Sequence, residues 1–185
     1  MSAGDTLLAA SIEGLPDTDN GSEFLLWEYT GSNIADAITL VTASVSSSKI
    51  GHHQEWLELI SGPVDVLFGN EAEFLALSGC LTLEGAIDWI RGQVEIACIT
   101  EAQNGSTIVT TEHTIGIDAY QVEKVVDSTG AGDLYASGFL YGLIKGFDLK
   151  TCGEIGSLAA AEVISHTGAR PQASLQEIIS SELEI

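Results

Sequence analysis

Short apolar runs alternate along this chain with segments whose apolar residues recur at helical spacing, and the two periods predict strands and helices in turn. Phe24–Trp27 reads as a strand, Asn33–Leu40 as a helix after the turn Thr30-Gly31-Ser32, and Val41–Val45 as the next strand. A Ser46-Ser47-Ser48 loop leads into a helix over Gly51–Ile60, which Gly62-Pro63 stops. Val64–Phe68 is then a strand, followed by helices from Glu71 and over Leu83–Arg91. Glu95–Thr100 and Ser106–Thr110 form strands around the turn Gln103-Asn104-Gly105. The β-branched run Val122–Val126 is the last strand, and Leu134, Ala136, Phe139, Leu140, Leu143 and Ile144 mark the helix after it. Strands alternating with helices predict an α/β fold whose mainly parallel sheet is flanked by helices, with ligands at the carboxyl ends of the strands.

The junction between that last strand and helix holds Asp127-Ser128-Thr129-Gly130-Ala131-Gly132-Asp133. Glycines there let the backbone approach a ligand closely, and the unpaired N–H groups of a helix's first turn favour an anion such as phosphate. The amides of Gly130, Ala131 and Gly132 form the expected anion hole, and Asp133 stands where it can take a proton from an attacking hydroxyl. The structural alternative is a helix start capped by Ser128 or Thr129, with Asp133 complementing the helix dipole.

The run Asp127–Phe139, with Ser137-Gly138 inside the helix, resembles the C-terminal signature of the ribokinase-like (PfkB) family of sugar and nucleoside kinases. Asn70-Glu71-Ala72-Glu73 is similar to that family's Asn-x-x-Glu motif, which lies near magnesium and phosphates. The Ala-rich helix from Ser157 ending in Thr167-Gly168-Ala169 is similar to the segment that lies against the nucleotide base. Thr100–Gly105 corresponds to the Thr-x-Gly-x-x-Gly turn, with Ala102 where the first glycine is usual. The resemblance covers Phe24–Pro171, and its texture is nearest to bacterial adenosine or sugar kinases. It implies an incomplete three-layer ribokinase-like fold and transfer of the γ-phosphoryl group of ATP to a sugar or nucleoside hydroxyl, with Mg2+ required. Asp133 is then the catalytic base. Asp127, Thr129, Asn70, Glu73, Thr100 and Gly105 lie about the phosphates, Glu73 meeting magnesium through water. Ser157, Ala160, Ala161, Ile164 and Gly168 lie about the base and ribose.

At 185 residues the chain is long enough for one domain with a real core, and 45% hydrophobic residues suit a covered sheet. Whole members of the family are longer, so residues 1–22 are an atypical segment before a core at residues 23–185. Met1–Asn20 has no strand alternation of lid type. The alternative function is a non-catalytic nucleotide-binding or oligomerisation remnant, as a homodimer or beside a complementing N-terminal fragment. A purely structural α/β module ranks last because it leaves Asp127–Asp133 unexplained.

Six basic against 27 acidic residues give a net charge of −21, which argues against nucleic acids and anionic membranes as partners. Phosphates must therefore be met by magnesium and backbone dipoles. Cys80, Cys98 and Cys152 lack disulfide or zinc spacing, and His52, His53, His113 and His166 lack metal-ligand spacing. With no leader pattern or membrane-length apolar run, the expected location is the cytoplasm. No Walker-type Gly-x-x-x-x-Gly-Lys-Ser/Thr is present, and the glycine spacing is not that of a dinucleotide fingerprint.

Overall fold

The structure is a computed structural model describing residues 6–10, 24–30, 38–43 and 53–183, with side chains described from residue 53 onward, Glu55 excepted. Its contacts divide the chain into two compact units, one formed by residues 1–99 with 109–113 and the other by residues 100–108 with 114–185.

The first unit carries β1 (Thr6–Ala10), β2 (Phe24–Thr30), β3 (Ile38–Ala43), α1 (His53–Ile60), β4 (Val66–Asn70), α2 (Glu71–Ser78), α3 (Leu83–Ile90) and β5 (Ile96–Thr100). Its strands lie in the order β1-β2-β3-β4-β5. The first two ladders are antiparallel, with Leu8 opposite Glu28 and Leu26 opposite Val41, whereas β3 runs parallel to β4 with Val41 opposite Leu67. The sheet is thus mixed. A parallel neighbour demands a crossover, and α1 lies in the connection from β3 to β4. Val66, Leu67 and Phe68 are buried in succession, as are Ala97, Cys98 and Ile99, so these strands are covered on both faces. Trp56 and Ile60 of α1, Phe74 and Leu77 of α2, and Ala86 and Ile90 of α3 join Leu67 and Ile99 in one core.

The second unit carries β6 (Ser106–Val109) as far as Ile108, β7 (Thr114–Ile117), α4 (Ala131–Lys145), α5 (Leu149–Ile164) and α6 (Leu175–Glu182). Gly146 ends α4 in the left-handed region and the Asp148 carboxylate accepts Thr151 N–H at 2.8 Å, so three residues suffice to turn the chain into α5. The two helices pack closely because their contact is built from small residues. A Cβ on Gly138 would stand 2.8 Å from the Ile155 carbonyl, and one on Gly156 would stand 2.8 Å from that of Tyr135. Inside the unit, Ser106 Oγ and Tyr135 Oη share a buried hydrogen bond of 2.7 Å.

Several sequence expectations are corrected. Val122–Val126 forms no regular strand; Val125 and Val126 are 57% and 49% exposed, and the Val126 amide bonds to the Ile164 carbonyl instead of a strand neighbour. Ile38–Leu40, expected in a helix, belongs to β3, since a short apolar run has no distinctive period. The rest of that expected helix, residues 33–37, lies outside the described residues, as do residues 44–45 of the expected strand after it. Thr6–Ala10 and Thr114–Ile117 are strands that the pattern did not announce. The strand expected over Val64–Phe68 runs over Val66–Asn70, two residues later, and delivers Asn70 directly to the start of α2.

Candidate active site

The loop before α4 is shaped by its own carboxylate. Asp127 Oδ1 accepts the Thr129 N–H at 2.9 Å, the local turn an aspartate makes with the amide two residues on. Gly130 follows at φ 81°, a left-handed conformation that a side chain would strain, and its carbonyl accepts the first helical bond from Leu134 N–H at 2.9 Å. No side chain caps this helix start. Of the three amides expected in the anion hole, that of Ala131 is already donated to the Ser128 carbonyl at 3.2 Å. The amides of Gly130, Gly132 and Asp133 have no acceptor among the described residues. The open set therefore keeps Gly130 and Gly132 from the expected three and has Asp133 in place of Ala131. Asp133 is exposed in the first turn of α4, and its carboxylate makes no hydrogen bond or ion pair with a described residue.

Behind this cradle stands the loop that follows α5. Asp127 Oδ2 accepts the Gly168 N–H at 3.0 Å, where Gly168 has φ 99°. The Thr129 hydroxyl, then the Thr129 and Gly168 amides, hold the Asp127 carboxyl down at about 2. Ala169 packs so closely on Gly130 that a Cβ on the glycine would stand 2.7 Å from the Ala169 Cβ. Gly168, expected about the base, is thus brought against Asp127, Thr129 and Gly130, which were expected about the phosphates.

At the base of the same loop is Glu162, which sequence reasoning missed. Its side chain is only 8% exposed. Oε1 accepts the amides of Gln172 at 2.8 Å and Ala173 at 2.9 Å and faces His166 Nε2 at 3.2 Å, while Oε2 has no partner among the described residues. Burial pushes the Glu162 carboxyl up, but the Ala173 and Gln172 amides and the His166 ring together outweigh it, so the net direction is down. The available signal was a single acid inside the apolar run Ala159–Ile164.

The residues expected about the base fare unevenly. Ser157 Oγ accepts the Tyr120 N–H at 2.9 Å and donates to the Asp118 carbonyl at 3.2 Å, so its hydroxyl is occupied in holding that segment. Ala161 is buried and lines an open cavity of about 370 Å³ together with Leu158, Val122, Tyr120 and Glu162. Ala160, Ile164 and Ser157 are half-buried and do not line it.

In the turn Thr100–Gly105, Ala102 adopts φ 52°, the left-handed conformation that the missing glycine would take without strain. Gly105 has φ 95°, and a Cβ there would stand 1.9 Å from the Ile117 carbonyl. Glu101, another residue not singled out beforehand, accepts the Thr107 hydroxyl at 2.5 Å, and its amide donates to the Gly105 carbonyl at 2.8 Å. The turn is thereby fixed from both ends.

In the first unit, Asn70 and Glu73 form a reciprocal capping box. Asn70 Oδ1 accepts the Glu73 N–H at 3.0 Å, and Glu73 Oε2 accepts the Asn70 N–H at 2.7 Å. Glu73 is buried. The pair therefore does structural work at the start of α2, leaving Glu73 Oε1 as the carboxylate oxygen outside the box. Among the described residues no three His, Cys, Asp or Glu side chains converge to hold a metal, and no helix is long and apolar enough to cross a membrane.

Open helix-start amides beside an exposed carboxylate leave this part of the α/β chain facing an anion, and comparison with known proteins supplies the family. The profile of the pfkB family carbohydrate kinases matches residues 5–176, and the chain belongs to that family. It is 35% identical over 133 residues to the nucleoside kinase of Methanocaldococcus jannaschii, covering 72% of this chain and 43% of that protein. A probable sugar kinase from Rhizobium etli superposes with a TM-score of 0.70 at 40% identity, over 72% of this chain and 41% of that one. The adenosine kinase of Sinorhizobium meliloti does so with a TM-score of 0.69 at 38% identity, over 70% of this chain and 40% of that one. The chain thus spans about two fifths of the length of these relatives.

Proposed function

We propose that this chain is the nucleotide-binding part of a kinase that moves the γ-phosphoryl group of ATP to a hydroxyl of a nucleoside or sugar. The observation that carries the reading is the open amide set of Gly130, Gly132 and Asp133 beside the free Asp133 carboxylate. Backbone donors fixed before the reaction stabilise the charge of a phosphoryl group, and in-line transfer needs little else besides positioning. Asp133 takes the proton of the attacking hydroxyl as the oxygen–phosphorus bond forms.

The residues fit the nucleotide in two ways. The cradle offers N–H groups without a side chain in front of them, and the cavity of about 370 Å³ beside Ala161 and Leu158 has an apolar wall suited to a base. Bound magnesium would neutralise phosphate charge; the chain, with six Lys and Arg in all, has few side chains to do so. Glu73 is the residue proposed to meet it, through water. The acceptor class stays a nucleoside or a sugar, because relatives at 35%, 38% and 40% identity are a nucleoside kinase, an adenosine kinase and a probable sugar kinase.

A second reading, a nucleotide-binding or self-associating part without catalysis of its own, is supported by the two-fifths coverage of the relatives. Isothermal titration with Mg-ATP, followed by an assay for acceptor-stimulated ADP release, separates the two. Binding with release supports the kinase, binding without release supports the nucleotide-binding form of the second reading, and absence of binding contradicts the kinase and leaves only self-association.

A further inference from the structure

Glu162 lines the cavity beside Ala161 and has no part in the anion cradle itself, yet it is a carboxylate sunk into the last turn of α5 with only 8% of its side chain exposed. Burying a charge is unfavourable unless donors surround it, and the donors here are unusual in coming from one loop. Gln172 and Ala173, ten and eleven residues further on, both present their amides to Oε1, and His166, one turn on, presents its ring to the same oxygen. The stretch from Ser165 to Ser174 contains no regular secondary structure, so its path depends on such anchors. Its crest is held elsewhere, by the Gly168 N–H on Asp127 Oδ2, and beside that crest Ala169 packs on Gly130. One loop is therefore fastened by Glu162 at its foot and by Asp127 at its crest, and the crest is the surface against which the cradle glycine lies.

We infer that Glu162 is a positioning residue for the anion cradle, acting through the loop 166–173 to keep Gly168 and Ala169 against Asp127 and Gly130. The role rests on the phosphotransfer reading for its purpose but not for its geometry. Glu162 touches neither Asp127 nor Gly130, and its influence passes along the chain from Gln172 and Ala173 back to Gly168. Losing the carboxylate frees amides that are exposed and can turn to water, so the foot of the loop loosens while the α4–α5 contact persists. A glutamine in its place keeps an acceptor oxygen for those amides and restores the anchor without the charge.

The test is amide hydrogen exchange resolved by NMR on the full chain for wild type, Glu162→Ala and Glu162→Gln, with a Mg-ATP titration of each. The inference expects the Gly168 and Thr129 amides to exchange roughly tenfold faster in Glu162→Ala, the size of losing one charge-assisted bond. Amides in the middle of α4 and α5 should be unchanged, and Glu162→Gln should return most of the protection. Unchanged Gly168 and Thr129 exchange in Glu162→Ala overturns the inference, as does loosening spread evenly over α4 and α5. Should Glu162→Ala not fold, the glutamine variant decides: protection at Gly168 within about twofold of wild type supports the anchor, and its loss contradicts it. In the titration, ATP affinity reduced by roughly tenfold in Glu162→Ala and recovered in Glu162→Gln supports the role at the nucleotide site. Equal affinity in all three refutes it. A wild-type chain that binds no ATP overturns the phosphotransfer reading instead, and the exchange data still judge Glu162.

Discussion

Gly168 donates its backbone N–H to Asp127 Oδ2 at 3.0 Å, joining the loop after α5 to the loop before α4 across 41 positions of sequence. The other oxygen of the same carboxylate holds the Thr129 amide, so one side chain shapes the cradle and ties it to its backing.

This tie should be acid-sensitive in a defined window. The Thr129 hydroxyl and the Thr129 and Gly168 amides lower the folded-state pKa of Asp127 from 3.8 to about 2. A depressed carboxylate contributes stability that is fully present above its unfolded value and disappears as pH falls through the folded one. The Gly168 amide resonance, followed by NMR, should thus hold its bonded position at pH 5 and move as the pH falls through a midpoint of about 2, while the stability the tie contributes declines from about pH 4 downward. In Asp127→Asn that acid transition should be absent.

Ala102 offers a prediction of opposite sign to most substitutions. Its φ of 52° places a Cβ in the left-handed region, at a cost of roughly 1–2 kcal/mol that glycine would not bear. Glycine also loosens the unfolded chain, at roughly 0.4–1 kcal/mol. Ala102→Gly should therefore stabilise the protein by about 0.5–1 kcal/mol in urea unfolding, with the slope unchanged.

Gly105 and Gly130 should behave differently from each other on replacement by alanine. At Gly105 the new Cβ would meet the rigid Ile117 carbonyl at 1.9 Å, so the Thr100–Gly105 turn must move and thermal stability should fall markedly. At Gly130 the clash is with the Ala169 Cβ at 2.7 Å, so the exposed loop that carries Ala169 must shift away from the cradle. Gly130→Ala should chiefly weaken Mg-ATP binding in calorimetry, with a smaller change in melting temperature.

Much of the fold was legible because its signals are local. β5, β6 and helices α1 to α3 fall within a few residues of the apolar runs that predicted them, and the glycines of Asp127–Asp133 do mark a helix start. What failed was short and context-dependent. Val122–Val126 has the composition of a strand but no ladder partner, whereas Thr114–Ile117 pairs in spite of Gly116 and short length. The motif Asn70–Glu73 was legible as a helix start, and the reciprocal cap could be anticipated from its spacing. The Asp127–Gly168 and Glu162–Gln172 contacts were not legible, since they depend on how α5 returns its following loop to the cradle.

Glu73 separates capping from metal binding. Glu73→Gln retains an acceptor for the Asn70 amide, so α2 should lose well under the ~1 kcal/mol typical of a removed cap. If Glu73 meets magnesium through water, the same variant should raise the magnesium concentration needed for half-maximal ATP binding. Glu73→Ala should show both effects.

The most direct test of the phosphotransfer account is magnesium-dependent ADP release from ATP by the purified chain, across a panel of nucleosides and sugars, beside Asp133→Asn. The account predicts acceptor-stimulated release that falls by ~10² to 10⁴ in the variant while Mg-ATP binding is retained. Release undiminished in Asp133→Asn, or loss of ATP binding together with release, would contradict the role given to Asp133.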